Sequence, residues 1–317
     1  MAIAKINSRL SLYDRLGALM VRFSFNRHDY AVEPGLYALN NPTPESPVFV
    51  SANYKLSFDI VRSSLAEFGS WLLVLDTKGV NVWCAAGKGT FGTAELVNRI
   101  KLTELDQVVS HRKLIVPQLG ATGIAAHEVL KQSGFQVVYG PVRAEDLPAF
   151  ILSNFKVTQE MRQVRFNLMD RLTLVPVEVV HYSKYLLLLL LLFLFLSRIN
   201  NDSLIVPAVN LIVAYFCGTV LGPLLLPFIP GRSFALKGAV LGLLAWVVLN
   251  YSLPWLDLLA WLLLMPTIAS FLLMNFTGSS TYTSLSGVQK EMRVAVPLQI
   301  AGLILGILLY ILARLIG

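Results

Sequence analysis

The chain has 317 residues, 55% of them hydrophobic and 14% charged, with a formal net charge of +7. A mean hydropathy of +0.64 is too apolar for an ordinary soluble protein, and the excess lies beyond residue 181. The basic residues scatter without interleaved aromatics, which argues against a nucleic-acid interface. The two cysteines stand far apart, which excludes a disulfide framework and an iron–sulfur cluster held by this chain alone.

Residues 1–44 carry Lys5, Arg9, Arg15, Arg22 and Arg27 with no continuous apolar stretch and end in the cluster Asn40 to Pro44. They are read as an N-terminal arm without a signal peptide. Residues 45–157 then alternate between strand and helix patterns. Strands are predicted at 48–52, 71–75, 80–83, 113–116 and 136–139, and helices at 56–68, 93–100 and 125–132. Such alternation implies a Rossmann-like α/β domain, a mainly parallel sheet with helices on both faces. Ligands of these sheets lie beyond the carboxyl ends of the strands. The loops there are Ala52-Asn53, Asp76-Thr77, residues 81–93, Gln118 to Gly123 and Gly140-Pro141 to Arg143. Their small residues leave room for a large, flat ligand.

Residues 158–181 form a charged, amphipathic linker, and residues 182–317 read as an all-α transmembrane domain. Spans are predicted at 182–196, 204–228, 234–252, 254–275 and 295–315, each near the ~20 residues that cross ~30 Å of hydrocarbon. Arg232, Lys237, Lys290 and Arg293 fall in the segments expected inside, whereas the outer segments hold only Arg198 and Arg314. This asymmetry sets the N-terminal domain in the cytoplasm of a multi-pass inner-membrane protein. No ionisable residue is predicted deep within a span, so this half is read as an anchor rather than a transporter. The glycine pairs Gly218/Gly222, Gly238/Gly242 and Gly302/Gly306 permit close helix packing, within one chain or in a homo-oligomer. Cys217, beside Gly218, is read as packing.

The segment of residues 81–93 is the most informative. It runs Asn81-Val82-Trp83-Cys84-Ala85-Ala86-Gly87-Lys88-Gly89-Thr90-Phe91-Gly92-Thr93. A cysteine stands between a predicted strand and a glycine turn, next to a helix start. Unpaired N–H groups there favour a thiolate, and glycines let a flat ligand approach the backbone. An axial ligand to a macrocyclic metal fits this arrangement. Two plainer readings stand beside it: a small buried hydrophobe, or a phosphate-holding turn. The Walker and dinucleotide spacings are absent. Lys88 reads equally as a cation for a cofactor tail or as a solvated lysine, and Trp83 and Phe91 as ring walls or as core. His28, His111, His127 and His181 share no metal-ligand spacing, and an Asp-x-His-x-x-Gly motif, which gives cobalt a histidine in another corrinoid-binding family, is missing.

Residues 81–93 resemble, position for position, the cap segment of the HgcA family, the corrinoid proteins of microbial mercury methylation. Val116 to Gly123 with Ala126 to Val129, and Tyr139 to Ala144 with Asp146 to Phe150, are similar both to that family and to the corrinoid iron–sulfur protein of acetyl-CoA metabolism. The resemblance covers about residues 45–155, with Thr122 where many relatives carry proline. It implies a cobalamin-type corrinoid whose cobalt takes Cys84 as axial ligand and catalytic group. Residues 81–93 with Asn53, Gln118, Gly120, Gly123, Gly140 and Pro141 would hold the cofactor. It implies a methyltransferase that moves a methyl group from a methyltetrahydrofolate-linked donor to Hg(II). A ferredoxin with two [4Fe-4S] clusters would act as reductant and as a source of Hg(II). The alternative is a corrinoid methyl carrier of one-carbon and acetyl-CoA metabolism without a mercury role.

Overall fold

The structure, a computed structural model, describes residues 3–27, 29–200, 203–276 and 285–316. His28 and Ser284 lie outside these. The chain divides into two compact units, one reaching to Val164 except for Arg22–Ser24, the other from Arg165 onward.

The first unit is built on a six-stranded sheet. Its strands are β1 (Ala4–Ile6), β2 (Gly35–Leu39), β3 (Val48–Ala52), β4 (Ser70–Leu75), β5 (Lys113–Val116) and β6 (Gln136–Tyr139). They are ordered β1-β2-β4-β3-β5-β6. Every pairing is parallel except β2 with β4. Helices α1 (Leu12–Arg22), α2 (Lys55–Ser64), α3 (Val82–Lys88), α4 (Thr93–Leu102), α5 (Leu105–Val108), α6 (Ala126–Ser133) and α7 (Leu147–Leu152) complete it.

Strands β3 and β4 are buried at every residue, as expected of central strands covered on both faces. Alternate side chains point to opposite faces. Val50, Leu73 and Val116 join Leu96, Ile100 and Val129 of α4 and α6 on one side. Phe49, Leu72 and Ile115 join Phe58 and Phe150 of α2 and α7 on the other. Each such aliphatic side chain contributes about 1.5–3 kcal/mol on burial.

Two features differ from the sequence reading. Residues 1–44 supply β1 and β2, so this stretch is woven into the sheet; β2 alternates only weakly because its neighbours are turn residues. The strand predicted at 80–83 does not form. The Asn81 side chain accepts the N–H of Cys84 at 3.0 Å and starts α3 at Val82. An N-cap of this kind satisfies a donor that the first helical turn leaves free.

The second unit is helical: α8 (Leu168–Asn200), α9 (Ile205–Phe216), α10 (Gly222–Leu225), α11 (Phe234–Leu249), α12 (Trp255–Asn275) and α13 (Leu285–Ile316). A π-helical turn, Cys217–Leu221, joins α9 to α10. Among the described residues, four helical segments are long and apolar enough to cross a membrane: Leu168–Arg198, Ile205–Leu225, Trp255–Asn275 and Ser286–Ile316. The span expected at 234–252 is shorter, because α11 stops at Leu249 after 16 residues. The expected count of five therefore becomes four full-length candidates and one short apolar helix. Asn250 ends α11; its amide exchanges hydrogen bonds with that of Asn210, at 2.7 and 3.2 Å.

Helix α12 is the packing centre. A Cβ at Gly218 would lie 2.5 Å from Leu272, one at Gly238 2.4 Å from the Ala269 carbonyl, and one at Gly302 2.5 Å from Thr267. Gly222, Gly242 and Gly306 meet α12 equally closely. All three glycine pairs are thus spent inside one chain. Ionisable groups at the helix ends are buried more than the sequence reading expects. Asp257 is 8% exposed and holds Arg314 through both oxygens, at 3.0 and 3.2 Å. Lys237 is also buried and gives its ammonium to the Leu226 carbonyl.

Candidate functional site

The carboxyl ends of β3, β4, β5 and β6 open on one edge of the sheet, since these four strands run parallel. The chain passes from β3 to β4 on one side and returns to β5 on the other. That reversal opens a crevice at the strand ends. Helix α3 follows β4 and lies at this edge.

Helix α3 has two faces. Ala85 and Ala86 point inward and are buried. Trp83, Cys84, Gly87 and Lys88 are exposed together, with Gly89 following. Spacings of three and four residues place Cys84, Gly87 and Lys88 on one stripe. A Cβ at Gly87 or Gly89 would meet nothing within 4 Å. Gly89 ends the helix at φ +83°, where a side chain would be strained. The thiol of Cys84 therefore stands beside a bare strip of backbone.

The remaining residues expected at the site build its support. Phe91 is fully buried and packs in the core beside the sheet. Gly120 and Gly123 face protein: a Cβ at Gly120 would lie 2.4 Å from the Phe91 ring, and one at Gly123 2.1 Å from the Phe91 carbonyl. The loop after β5 is thereby seated on α3. The Thr93 N–H donates to the Gly123 carbonyl at 3.1 Å, and the Ala125 N–H donates to the Thr93 hydroxyl at 2.9 Å. The Thr90 N–H and hydroxyl are both directed at the Ala85 carbonyl. Val82 packs against the core beneath, and Gly92 starts α4. Gly140 and Pro141 are buried. The Gly140 N–H donates to the Val116 carbonyl at 2.8 Å, and the Pro141 carbonyl accepts from the Gln118 N–H at 3.4 Å.

Asn53 is 5% exposed. Its Oδ1 accepts from the Thr77 N–H, the Thr77 hydroxyl and the Gly79 N–H at 3.1, 2.8 and 3.0 Å. It fastens the turn that leads into α3. Thr77, its partner, was not singled out in the sequence, although a buried Asn one residue past a central strand is a usable sign. In the same turn Asp76 pairs with Lys78. That hydrogen-bonded ammonium holds the Asp76 carboxyl below its ordinary pKa. Tyr139, which begins one of the segments that carry the resemblance, has a structural task as well: its hydroxyl donates to the Ile124 carbonyl at 2.7 Å and secures the loop after β5.

Among the described residues, no three His, Cys, Asp or Glu side chains cluster to hold a metal. Cys84 offers a single exposed thiol. That donor set suits a metal whose other ligands come with it, and the bare backbone at Gly87 and Gly89 suits a flat carrier. Cys217 is buried in the helical unit, with its thiol 3.9 Å from the Leu241 carbonyl.

Residues 18–151 match the family model described as CO dehydrogenase/acetyl-CoA synthase delta subunit. The chain is 35% identical over 126 residues to the acetyl-CoA decarbonylase/synthase complex subunit gamma of Archaeoglobus fulgidus, covering 39% of this chain and 26% of that one. The gamma subunit of Methanocaldococcus jannaschii is 29% identical over 51% of this chain and 34% of its own length. The corrinoid/iron-sulfur protein large subunit of Moorella thermoacetica is 29% identical over 39% and 28%. The chain thus spans about a quarter to a third of these relatives. Residues 18–151, which the family model covers, fall within the α/β unit, apart from Arg22–Ser24.

Proposed function

We propose that this protein is a membrane-anchored corrinoid-dependent methyltransferase that delivers a methyl group to Hg(II). The observation that carries the reading is the exposed stripe of α3, with Cys84 beside the bare backbone of Gly87 and Gly89. Similarity to a corrinoid/iron-sulfur protein over this domain supports the cofactor class.

A bound corrinoid supplies cobalt able to carry a methyl group and give it up to an acceptor. The chain's part is to ligate, orient and expose. Cys84 offers cobalt a thiolate, a strongly electron-donating ligand that is deprotonated on a metal. A donor of that kind would favour release of a methyl group together with its bonding electrons, which an electrophile such as Hg(II) could accept. Gly87 and Gly89, open on their outer side, would admit the ring, and Lys88 on the same stripe would supply a cation for a polar group at the cofactor's edge. Asn53, Thr77 and Thr93 fix the turns around α3, so that the thiol is held by a rigid frame. Gln118, Gly120, Gly123, Gly140 and Pro141 form the neighbouring strand-end loops that would border the ring.

The apolar helices would anchor this domain to the cytoplasmic membrane, with the basic loops inside. Electrons would come from a separate protein, a ferredoxin with two [4Fe-4S] clusters, because the chain's two cysteines lie one in each unit. That protein would also bring Hg(II), and a methyltetrahydrofolate-linked donor would supply the methyl group. Full-length protein given corrinoid, methyl donor, reductant and Hg(II) should form methylmercury repeatedly. No methylmercury under those conditions would defeat the reading.

A second reading is a methyl carrier of acetyl-CoA metabolism without a mercury role. It is favoured by the gamma-subunit relatives. Methyl transfer to an acetyl-CoA synthase rather than to Hg(II) would identify it.

A further inference from the structure

The helical unit contains a cleft that the proposed methyl transfer does not use. Helices α11 and α13 both pack on α12, and between them lies a cavity of about 1100 Å³. This exceeds the roughly 300–1,000 Å³ of ordinary small-molecule sites. The two helices are tied at one end, where Glu291 of α13 accepts the Ser233 hydroxyl at 3.0 Å and the Ala235 N–H at 2.6 Å. Three cations line the cavity: Arg232 and Lys290, both exposed, and Lys237, which is buried and gives its ammonium to the Leu226 carbonyl. Its walls beyond them are apolar, with Leu236, Val294 and Leu298 all on the lining.

One buried group in the wall lacks a partner. Gln299 is 7% exposed, and its Nε2 donates to the Ser270 hydroxyl at 2.9 Å. Among the described residues its Oε1 has no hydrogen-bond partner. Turning the amide over would let it accept from Ser270 and leave the NH2 group open instead. In either orientation one amide atom in the lining is unspent, and a buried polar atom so left is unfavourable until a ligand meets it.

We propose that this cleft binds one anionic glycerophospholipid. Arg232 and Lys290 would hold its phosphate, the apolar walls its acyl chains, and the turned-over Gln299 amide would donate to an ester carbonyl. Basic pockets between membrane helices take such headgroups. A free phosphate ion would use the cations and leave the apolar length and the amide unfilled. The inference rests on the membrane-spanning reading of this unit and is independent of the methyl-transfer chemistry. Resistance of the full chain to alkaline extraction from membranes checks that reading separately.

The test uses the full chain, delipidated in neutral detergent, with phosphatidylglycerol, phosphatidylcholine or inorganic phosphate added, followed by native mass spectrometry. Phosphatidylglycerol should be retained one per chain, and phosphatidylcholine should not. The double variant Arg232→Gln, Lys290→Gln should bind phosphatidylglycerol roughly thirtyfold more weakly, whereas Lys290→Arg should retain it. Ala239→Trp, which fills the cleft, should abolish retention while circular dichroism shows intact helices. Equal retention of the two lipids, displacement by millimolar phosphate, or unchanged retention in either the double variant or Ala239→Trp would overturn the proposal.

Discussion

The two units use glycine in opposite ways. In the α/β unit Gly87 and Gly89 face nothing, and the space above them is the candidate site. In the helical unit Gly218, Gly238, Gly242 and Gly302 are filled to contact by α12. Gly120 and Gly123, a short way along the chain from the first pair, behave like the second group, since Phe91 occupies the place of a side chain. A small residue marks close approach, but the neighbour decides whether a ligand or the protein itself approaches.

The largest effect expected from breaking this contrast is chemical. Cys84→Ala should reduce methylmercury formation by more than roughly a hundredfold, beyond the loss usual for groups that merely orient a ligand. Thermal unfolding should barely change, because the side chain is exposed. Full activity in this variant would remove the thiol from the mechanism.

Stability and occupancy should next separate the glycines. Gly123→Ala forces a Cβ toward the Phe91 carbonyl, and Gly242→Leu forces a side chain into α12; each should cost about 1–3 kcal/mol or more by overpacking. Gly87→Val, on an exposed helical position, should leave thermal stability within about 1 kcal/mol and yet lower corrinoid occupancy. Matched melting curves and cofactor titrations read both quantities. Normal corrinoid binding by Gly87→Val would show that the bare stripe does not meet the ring.

A moderate effect is expected where the N-terminal stretch is fastened. Asp14 of α1 holds Lys55 at 2.6 Å and Arg62 at 2.9 Å. Burial acts to raise its pKa, but hydrogen bonds from Lys55, Ser11 and Arg62 outweigh it and leave the carboxyl below its ordinary value. A lowered carboxyl pKa contributes stability above the unfolded value of about 4, and that contribution is lost as pH falls through the folded value. Denaturant midpoints should therefore fall more steeply between about pH 4 and 2 in wild type than in Asp14→Asn. Identical acid profiles would show that the cluster does not couple α1 to α2.

The smallest effects concern Lys88 and the orientation of the helices. Lys88→Ala should change corrinoid affinity by less than about tenfold, since an exposed charge contributes about 0–1 kcal/mol. A cysteine engineered at Ser252, between α11 and α12, should react with an impermeant thiol reagent from outside intact cells. Labelling only after lysis would invert the topology.

Much of the frame was readable from residues alone. Strands β3, β5 and β6 have the ends that their apolar runs suggest; β3 lies inside the sheet and is buried at every residue, as a central parallel strand is. The division between a mixed α/β unit and an apolar helical one also follows from composition, since no water-exposed surface tolerates the leucine run after Tyr185. Residues 81–93 are legible as a motif because a thiol stands there among small residues and three glycines.

Tertiary packing decided the rest. β2 enters the sheet through pairing with β4 across a long separation in sequence, and no local pattern reports such a partner. Residues 80–83 are apolar enough for a strand, but no strand pairs with them and the Asn81 cap is at hand, so the backbone turns into α3. Asn53 lies at the strand end where ligands gather, yet its carbonyl is committed to Thr77 and Gly79. The glycine pairs at helix spacing could serve two chains or one until α12 is seen to fill them. Spacing along the chain specifies which faces are small, apolar or polar; what meets each face depends on residues distant in sequence, and only the folded packing brings them together.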